Sequence, residues 1–416
     1  MSDNFADVVI IGASHAGSEF AARLRQGGFA GAVALLSSEP HLPYHRPPLS
    51  KGFLSGETSS EQLLLRSEAA YAKANIGWHP STTITEIDRA SHTLKTSAGG
   101  TFRYGKLVLA TGGRPRRLAI PGADLQGLHV MRSIADVDAL RPAFIPGSRL
   151  VIAGGGYIGL EVAAVAAKYG LDVEVVEFAP RLLARVAGPE LSAFYEAAHR
   201  AHGVKFRLNT GVQAFEPAAN NPNQVGFVRC SDGTLLPADL VLVAVGLIPN
   251  TELAQEAGLA MGNGIVVDDL CQTSDPDILA IGDCTEHPLP FLEGARVRLE
   301  SVPNAVEQAR VAASVLNGVP KPYNAVPWFW SDQYHLKLQS VGLSQGHDQI
   351  VLRPARSPEG FVAFYLKQGR MIAADCVNSM QEFNQAKRLI TEKIPVDPVA
   401  LADPETNLKS LLPVAA

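Results

Sequence analysis

Cysteine is scarce in this chain: 416 residues carry only four, Cys230, Cys271, Cys284 and Cys376. No two of them form a C-x-x-C pair, so neither a zinc site nor a thioredoxin-like dithiol is signalled, and no metal is expected. Thiols this sparse fit a reducing cytoplasm. A basic excess is missing too. Lys and Arg number 36 against 41 Asp and Glu, a formal net charge of −5. That balance speaks against a dedicated nucleic-acid binder, while leaving room for a local basic patch that meets an acidic partner. Long apolar runs are also absent. No stretch nears the ~20 residues that a membrane span requires, so no membrane association is expected. The opening MSDNFADVVIIGASHAG has a short apolar run that follows acidic residues and ends in a glycine turn. It reads as a strand, not a signal peptide. The chain is long enough for two or three domains.

What is present is a pattern used twice. Ala6–Ile11 is an almost continuous apolar run, as a parallel strand covered on both faces should be. It ends in Gly12, Ala13, Ser14, His15, Ala16 and Gly17, and a helical segment comes next over Ser18–Gln26. A second strand, Ala32–Leu36, leads to Ser37, Ser38 and Glu39. The same order returns at Arg149–Ala153, in the turn from Gly154 through Gly155, Gly156, Tyr157 and Ile158 to Gly159, in a helix from Leu160 to near Tyr169, and in a strand over Asp172–Val176 that ends at Glu177. In each copy an acid stands about 20 residues beyond the last glycine. The chemistry needs this spacing. Glycine lets the backbone approach a pyrophosphate, the helix start offers free N–H groups, and the acid accepts from ribose hydroxyls. The fold class expected is α/β, with two Rossmann-like dinucleotide-binding lobes.

Individual positions refine this. Ser14 stands where a second glycine is usual, and serine is small enough to allow close approach. His15 reads as a variable loop residue. Either Ser38 or Glu39 could face the first ribose, with Glu39 the better acceptor. A carboxylate at Glu177 bonds the 2′-hydroxyl of NADH and repels the 2′-phosphate of NADPH, so NADH is preferred. Arg181 and Arg185 lie just downstream and could contact a phosphate or simply be solvated.

Between the copies, Lys106–Arg116 reads as a buried strand ending in a glycine turn, and Asp239–Asn250 echoes it. Both look like crossings between lobes. Ile278–Cys284 is a further short strand with Asp283 just past its end. From about Ala325 the character changes to α+β. Phe361–Val377 reads as a hairpin, Trp328–Leu343 as an aromatic-rich loop leading into a strand, and Pro217–Asn223 as a surface turn.

Six segments carry a resemblance: PYHRPPLSK (Pro43–Lys51), LATGGRPR, GGGYIGLE (Gly154–Glu161), VGLIPN (Val245–Asn250), TSDPDILAIGDC (Thr273–Cys284) and RLESVPNAVEQA (Arg298–Ala309). PWFWSDQY (Pro327–Tyr334) and EFNQAKRLI (Glu382–Ile390) extend it through the last domain. Together they resemble the NADH-dependent ferredoxin reductases of oxygenase systems, the putidaredoxin-reductase-like group. The resemblance implies a glutathione-reductase-like fold. Its discontinuous FAD-binding domain would span 1–116 and 244–324, its NAD-binding domain 117–243, and its C-terminal α+β domain 325–416.

It also implies roles. Gly12, Ser14, His15, Ala16 and Gly17 would hold the FAD pyrophosphate, with Ser38 and Glu39 near the ribose and Arg46 also binding FAD. Ile84 would lie near the adenine, and Ala110, Thr111 and Gly112 would line the cofactor's path. Arg132 and Lys51 would contact FAD, as would Gly282 and Asp283 at the ribitol or phosphate end. Val302 would lie by the flavin ring and Trp330 at its exposed edge, and Glu300 and Ser301 would also bind FAD. Gly154, Gly156, Tyr157, Ile158, Gly159, Glu177, Arg185, Val245 and Gly246 would serve NADH. Lys51 and Glu161 would pair beside flavin N5, the lysine stabilising negative charge on reduced flavin and the carboxylate restraining it. Taken bare, Glu161 could also be a helix-surface acid, and Trp328 and Trp330 core aromatics.

The missing cysteine now bears on electron flow. Disulfide reductases of this fold need a cysteine pair beside the flavin, and their oxidase and peroxidase relatives need one reactive cysteine. The stretch Pro43–Gly56 has none. The flavin should therefore release electrons singly to an external carrier, a 2Fe–2S ferredoxin by resemblance. A rubredoxin, a quinone or oxygen as acceptor, or a signalling flavoprotein like apoptosis-inducing factor, stay open as alternatives. Lys337, Lys387 and Arg388 are candidates for steering an acidic ferredoxin.

Overall fold

The structure, a computed structural model, describes residues 4–412. Residues 1–3 and 413–416, at the outer ends of the domain spans expected above, lie outside them. The chain forms two compact units: residues 4–46, 59–114 and 248–325 make the first, and residues 47–58, 115–247 and 326–412 the second.

The first unit is built on the apolar strand Asn4–Ile11, which pairs in parallel with Val33–Leu36 on one side and Thr101–Leu109 on the other. Ile76–His79 extends the sheet beyond Val33–Leu36, and Ile278–Ala280 adds in parallel at Leu107–Leu109. Four consecutive buried residues in Val33–Leu36 show why the run is uninterrupted: both faces are covered. Helices His15–Gln26 and Val302–Leu316 pack on each other over this sheet. The first helix begins three residues ahead of the expected Ser18, inside the glycine turn itself.

The second unit holds the other parallel sheet, in the order Lys205–Arg207, Asp172–Val176, Arg149–Ala153, Leu240–Val243, Leu128–His129. Its helix runs Tyr157–Lys168, again starting within the turn and ahead of the expected Leu160. The stretch Pro217–Asn223, expected as a surface turn, is the exposed closed end of a hairpin between Val212–Ala218 and Asn221–Cys230, with the turn itself at Ala219 and Asn220. Its prolines are tolerated there because that end of the ladder is irregular and exposed.

The C-terminal part of this unit is a five-stranded antiparallel sheet ordered Trp328–Gln333, Leu336–Gly342, Arg370–Val377, Phe361–Lys367, Gln349–Arg353. The expected hairpin is present: Phe361–Lys367 and Arg370–Val377 are joined by Gln368 and Gly369, both at positive φ as a tight turn requires. Trp328–Gln333, by contrast, is an edge strand and not a loop, with Ser331 and Gln333 buried. Helix Met380–Thr391 covers the sheet through Phe383, Ala386, Leu389 and Ile390. One hydrophobic cluster joins Leu160, Leu191 and Tyr195 of the nucleotide lobe to Leu336, Leu338 and Val377 of the antiparallel sheet. Among the described residues no helix is long and apolar enough to cross a membrane.

Candidate functional site

Both glycine turns have one construction. At Gly12 φ is +104°, and an added Cβ would lie 2.2 Å from the carbonyl oxygen of Ala110. At Gly154 φ is +109°, with Ala244 O at 2.5 Å. Neither place admits a side chain. The helices beyond them have Ser14 and Gly156 at their N-caps, no side-chain cap hydrogen bond and no acid in the first turn. Their first N–H groups are thus left for an external anion, beside the positive end of the helix dipole. Nothing stands within 4 Å of the Cβ position of Gly156. Two pyrophosphates fit these two turns.

In the first unit the departure from glycine at Ser14 is used. The Ser14 hydroxyl accepts from Arg46 Nε at 2.9 Å, while Arg46 Nη2 reaches Glu39 Oε1 at 2.6 Å. Tyr44 donates its hydroxyl to the other Glu39 oxygen at 2.5 Å. Burial raises the Glu39 carboxyl, but Arg46 and Tyr44 outweigh it and hold the group below the usual carboxylate range. Arg46 is raised in turn: burial opposes its charge, and Tyr44, Glu39 and Asp283 overcome that opposition. Arg46, Glu39, Ser14 and Asp283 therefore form one electrostatic group, which spacing along the chain could not show. Gly282 lies against Ala16, whose Cβ would be 3.1 Å from a Cβ at Gly282, and its N–H donates to Gln308 at 2.6 Å. Thr111 donates to the carbonyl of Asn250 at 2.6 Å. Ala110 is buried beside Gly12, and Gly112 has positive φ. His15 packs at 5.4 Å from the ring of His45. Ile84 is buried in the core with Ile87 and Leu94. Ser38 is exposed. Glu300 accepts from Arg298, and Ser301 caps the helix that starts at Val302 by accepting from Asn304 N.

Lys51, Arg132 and Trp330, expected on the flavin side, belong to the second unit along with the nicotinamide-side residues. There Glu177 accepts from Gly155 N at 2.6 Å and from Ala179 N at 2.7 Å, which fixes its carboxylate at the mouth of the turn. Arg185 reaches to 3.8 Å of the Cβ position of Gly246, next to Val245. Arg181 is occupied otherwise, donating to Ala187 O, Ser192 Oγ and Ala184 O, so it braces a loop. Tyr157 turns onto Phe329 at 4.6 Å between rings, and Ile158 is exposed. Gly159 sits against Gly154 O at 2.2 Å from its Cβ position. Arg132 donates its backbone N–H to Asp136 at 3.0 Å.

Lys51 and Glu161 meet. Lys51 Nζ lies 2.6 Å from Glu161 Oε2 and 3.1 Å from Pro47 O. Glu161 is 3 % exposed, which rules out a plain surface acid. Ser50 donates to Glu161 Oε2 at 2.5 Å and Ser331 to Oε1 at 2.6 Å. The segment that carries Lys51 is tied down by Arg141, which donates to Phe53 O at 2.5 Å, by Tyr169 on Ser55 O, and by Lys168 on Glu57. Ser50, Ser331, Tyr44 and Gln308 were not singled out in the sequence. Only their place within PYHRPPLSK, PWFWSDQY and RLESVPNAVEQA marked them.

The four cysteines are all buried and unpaired. Burial pushes the Cys230 thiol up to about 11 and raises Cys271, Cys284 and Cys376 as well. None is a reactive thiolate. On the C-terminal edge strand Trp328 and Trp330 lie 5.6 Å apart, and Lys387 Nζ sits 5.3 Å from the Trp328 ring.

Two glycine turns of one construction, each with an uncapped helix start open to a phosphate, are the mark of a flavin- and nicotinamide-linked reductase. Residues 6–309 match the pyridine nucleotide-disulphide oxidoreductase family and residues 328–412 the reductase C-terminal domain. The chain is 47 % identical over 405 residues to the 5,5'-dehydrodivanillate O-demethylase ferredoxin reductase subunit of Sphingobium sp., covering 97 % of this chain and 98 % of that one. It is 45 % identical to putidaredoxin reductase of Pseudomonas putida, covering 98 % and 97 %. The crystal structure of a covalent putidaredoxin reductase–putidaredoxin complex superposes with a TM-score of 0.94 at 44 % identity, over 99 % of this chain and 98 % of that chain. The chain belongs to the pyridine nucleotide-disulphide oxidoreductase family, in its FAD- and NAD(H)-linked ferredoxin reductase branch.

Proposed function

We propose that this chain is an FAD-dependent NADH:ferredoxin oxidoreductase that feeds single electrons to a 2Fe–2S ferredoxin serving a P450 or Rieske-type oxygenase, in the cytoplasm. Bound FAD supplies a centre that takes a hydride from NADH and yields electrons one at a time. The protein's part is binding, orientation and electrostatics. The domain spans 1–116 with 244–324, 117–243 and 325–416 are proposed as the FAD, NAD and C-terminal domains. The uncapped start of helix His15–Gln26 would receive the FAD pyrophosphate, and that of Tyr157–Lys168 the NADH pyrophosphate. Glu39, braced by Arg46 and Tyr44, would accept from the FAD ribose. Glu177 would accept from the 2′-hydroxyl of NADH, where a 2′-phosphate would meet like charge. Lys51 spends its ammonium on Glu161 and Pro47 O and keeps a third N–H direction for the reacting rings.

The observation that carries this reading is the Lys51–Glu161 pair, seated in a segment with no cysteine. A thiol relay has no place to form, which leaves an external one-electron carrier. NADH oxidation measured with ferredoxin plus cytochrome c, against oxygen, quinone or rubredoxin alone, tests it. Ferredoxin-coupled turnover should exceed each of the others by at least about a hundredfold. Equal rates with oxygen would end the reading.

A further inference from the structure

The carboxylate of Glu161 is the end of a longer hydrogen-bonded chain. Ser331 Oγ, 2.6 Å from Glu161 Oε1, accepts from Gln333 Nε2 at 3.2 Å. Gln333 Oε1 lies 2.8 Å from His199 Nε2, and His199 Nδ1 lies 3.0 Å from the Tyr334 hydroxyl. Ser331, Gln333 and His199 are 0 to 1 % exposed. Every link has one direction. A carboxylate can only accept, so Ser331 must donate to Glu161 and must itself receive from the Gln333 amide nitrogen. The Gln333 oxygen then needs a donor, which sets the proton of His199 on Nε2. His199 Nδ1 is left to accept from Tyr334. Reversing the Gln333 amide would set its oxygen 3.2 Å from Ser331 Oγ with no hydrogen between them, because the one hydroxyl proton of Ser331 is already given to Glu161.

The far end is held under strain. Tyr334 is the first residue of the two-residue turn between Trp328–Gln333 and Leu336–Gly342, with φ of +55°. That conformation favours glycine and is strained for a bulky residue. Tyr334 is kept there by its bond to His199 and by stacking on His202, with ring centroids 3.8 Å apart and 13° between planes. Polar groups this deep are costly unless every one is satisfied. The chain satisfies them, and it links helix Pro189–Ala201 to the Lys51–Glu161 pair.

We propose that His199 and Gln333 are positioning residues for the Lys51–Glu161 pair: the one-way chain Tyr334–His199–Gln333–Ser331 fixes the rotamer of the Glu161 carboxylate and thereby the place of the Lys51 ammonium. This rests on the reading of Lys51 as the group that meets the reacting rings. Burial holds His199 neutral down to about 4, so the chain keeps this polarity at working pH.

Two measurements test it. In the full-length holoprotein, 15N-histidine NMR at neutral pH should show His199 as the neutral Nε2–H tautomer. A charged ring or the Nδ1–H tautomer would overturn the chain. Stopped-flow reduction of the flavin by NADH supplies the second. His199→Phe should slow reduction at saturating NADH about fivefold with the NADH Kd unchanged, and in a Glu161→Gln background the same change should matter less than about twofold. An equal fold-change in both backgrounds would mean a merely structural role and would sink the proposal. Where His199→Phe does not fold, Gln333→Met cuts the chain one link nearer and carries the same prediction. Wild-type protein that NADH cannot reduce would refute the proposed function instead, and the tautomer measurement would still decide the chain.

Discussion

His199 is a fully buried imidazole whose protonation is shifted well away from that of the free side chain. Its pKa is lowered from 6.5 to about 4, first by burial and, in a smaller part, by the nearby charge of His202. Between those values the unfolded chain takes up a proton at this site and the native chain does not. Stability therefore rises with pH across that window. It is fully present above about 6.5 and falls by about 3 kcal/mol on going down to pH 4. Denaturant titrations at several pH values should show this loss in the wild type and a shallower one in His199→Phe. Matching slopes would contradict it. Glu177 offers a second test at this scale. With its carboxylate held by Gly155 N and Ala179 N, Glu177→Ala should lower kcat/KM for NADH about ten- to a hundredfold and narrow its advantage over NADPH. Steady-state rates with both nucleotides check this. The acids of the two turns could be found in the sequence because their distance from the glycines is set by one strand and one helix. Gln308, Ser331 and His199 could not. Their partners are far away along the chain, and a lone serine or glutamine in an aromatic stretch has no periodicity to betray it.

At the scale of elements, the glycine turns are the least forgiving parts of the fold. A methyl group at Gly12 or Gly154 would have to pass within 2.2 or 2.5 Å of a carbonyl oxygen, at a φ that L-residues avoid. Gly154→Ala should cost about 2–4 kcal/mol and abolish NADH binding while the FAD spectrum persists. Thermal melts and NADH titrations of the yellow protein would show both; undiminished NADH binding would refute the assignment of that turn. The parallel strands are legible in the sequence from their unbroken apolar runs, and the helices from their position directly after a glycine turn. Pattern alone puts the helix starts three residues late, since glycine and histidine next to a turn look like loop and only the hydrogen bonding shows them as the first helical turn. The edge strand Trp328–Gln333 escapes detection for a related reason. Three aromatics in four residues mask the alternation that would mark a strand, and its buried positions are polar, Ser331 and Gln333.

At the scale of the whole molecule, an acidic carrier would be steered by basic side chains that are not already spent on a partner. Of the three basic candidates, Arg388 is engaged by Glu392 at 3.0 Å and Lys387 lies over the Trp328 ring, while Lys337 is exposed on its strand. Reversing Lys337 and Lys387 to Glu together should raise the ferredoxin KM about tenfold at low salt and much less at high salt, with NADH reduction of the flavin unchanged. An unchanged KM would remove this face from consideration. The glutathione-reductase-like plan is readable because each lobe repeats a local grammar. The division of the chain is not. Residues 47–58 leave the first unit and join the second, a choice made by Arg141, Lys168 and Tyr169, far away in sequence.

The core that runs from Leu160 and Tyr195 into Leu336, Leu338 and Val377 has a practical outcome for anyone recombining such reductases. A chimera that borrows only its terminal sheet from a homologue would set foreign side chains against the native nucleotide-lobe helices, and overpacking or voids would arise at their shared seam. Crossovers placed so that both halves of this seam come from one parent should yield folded hybrids, and those that split it should aggregate.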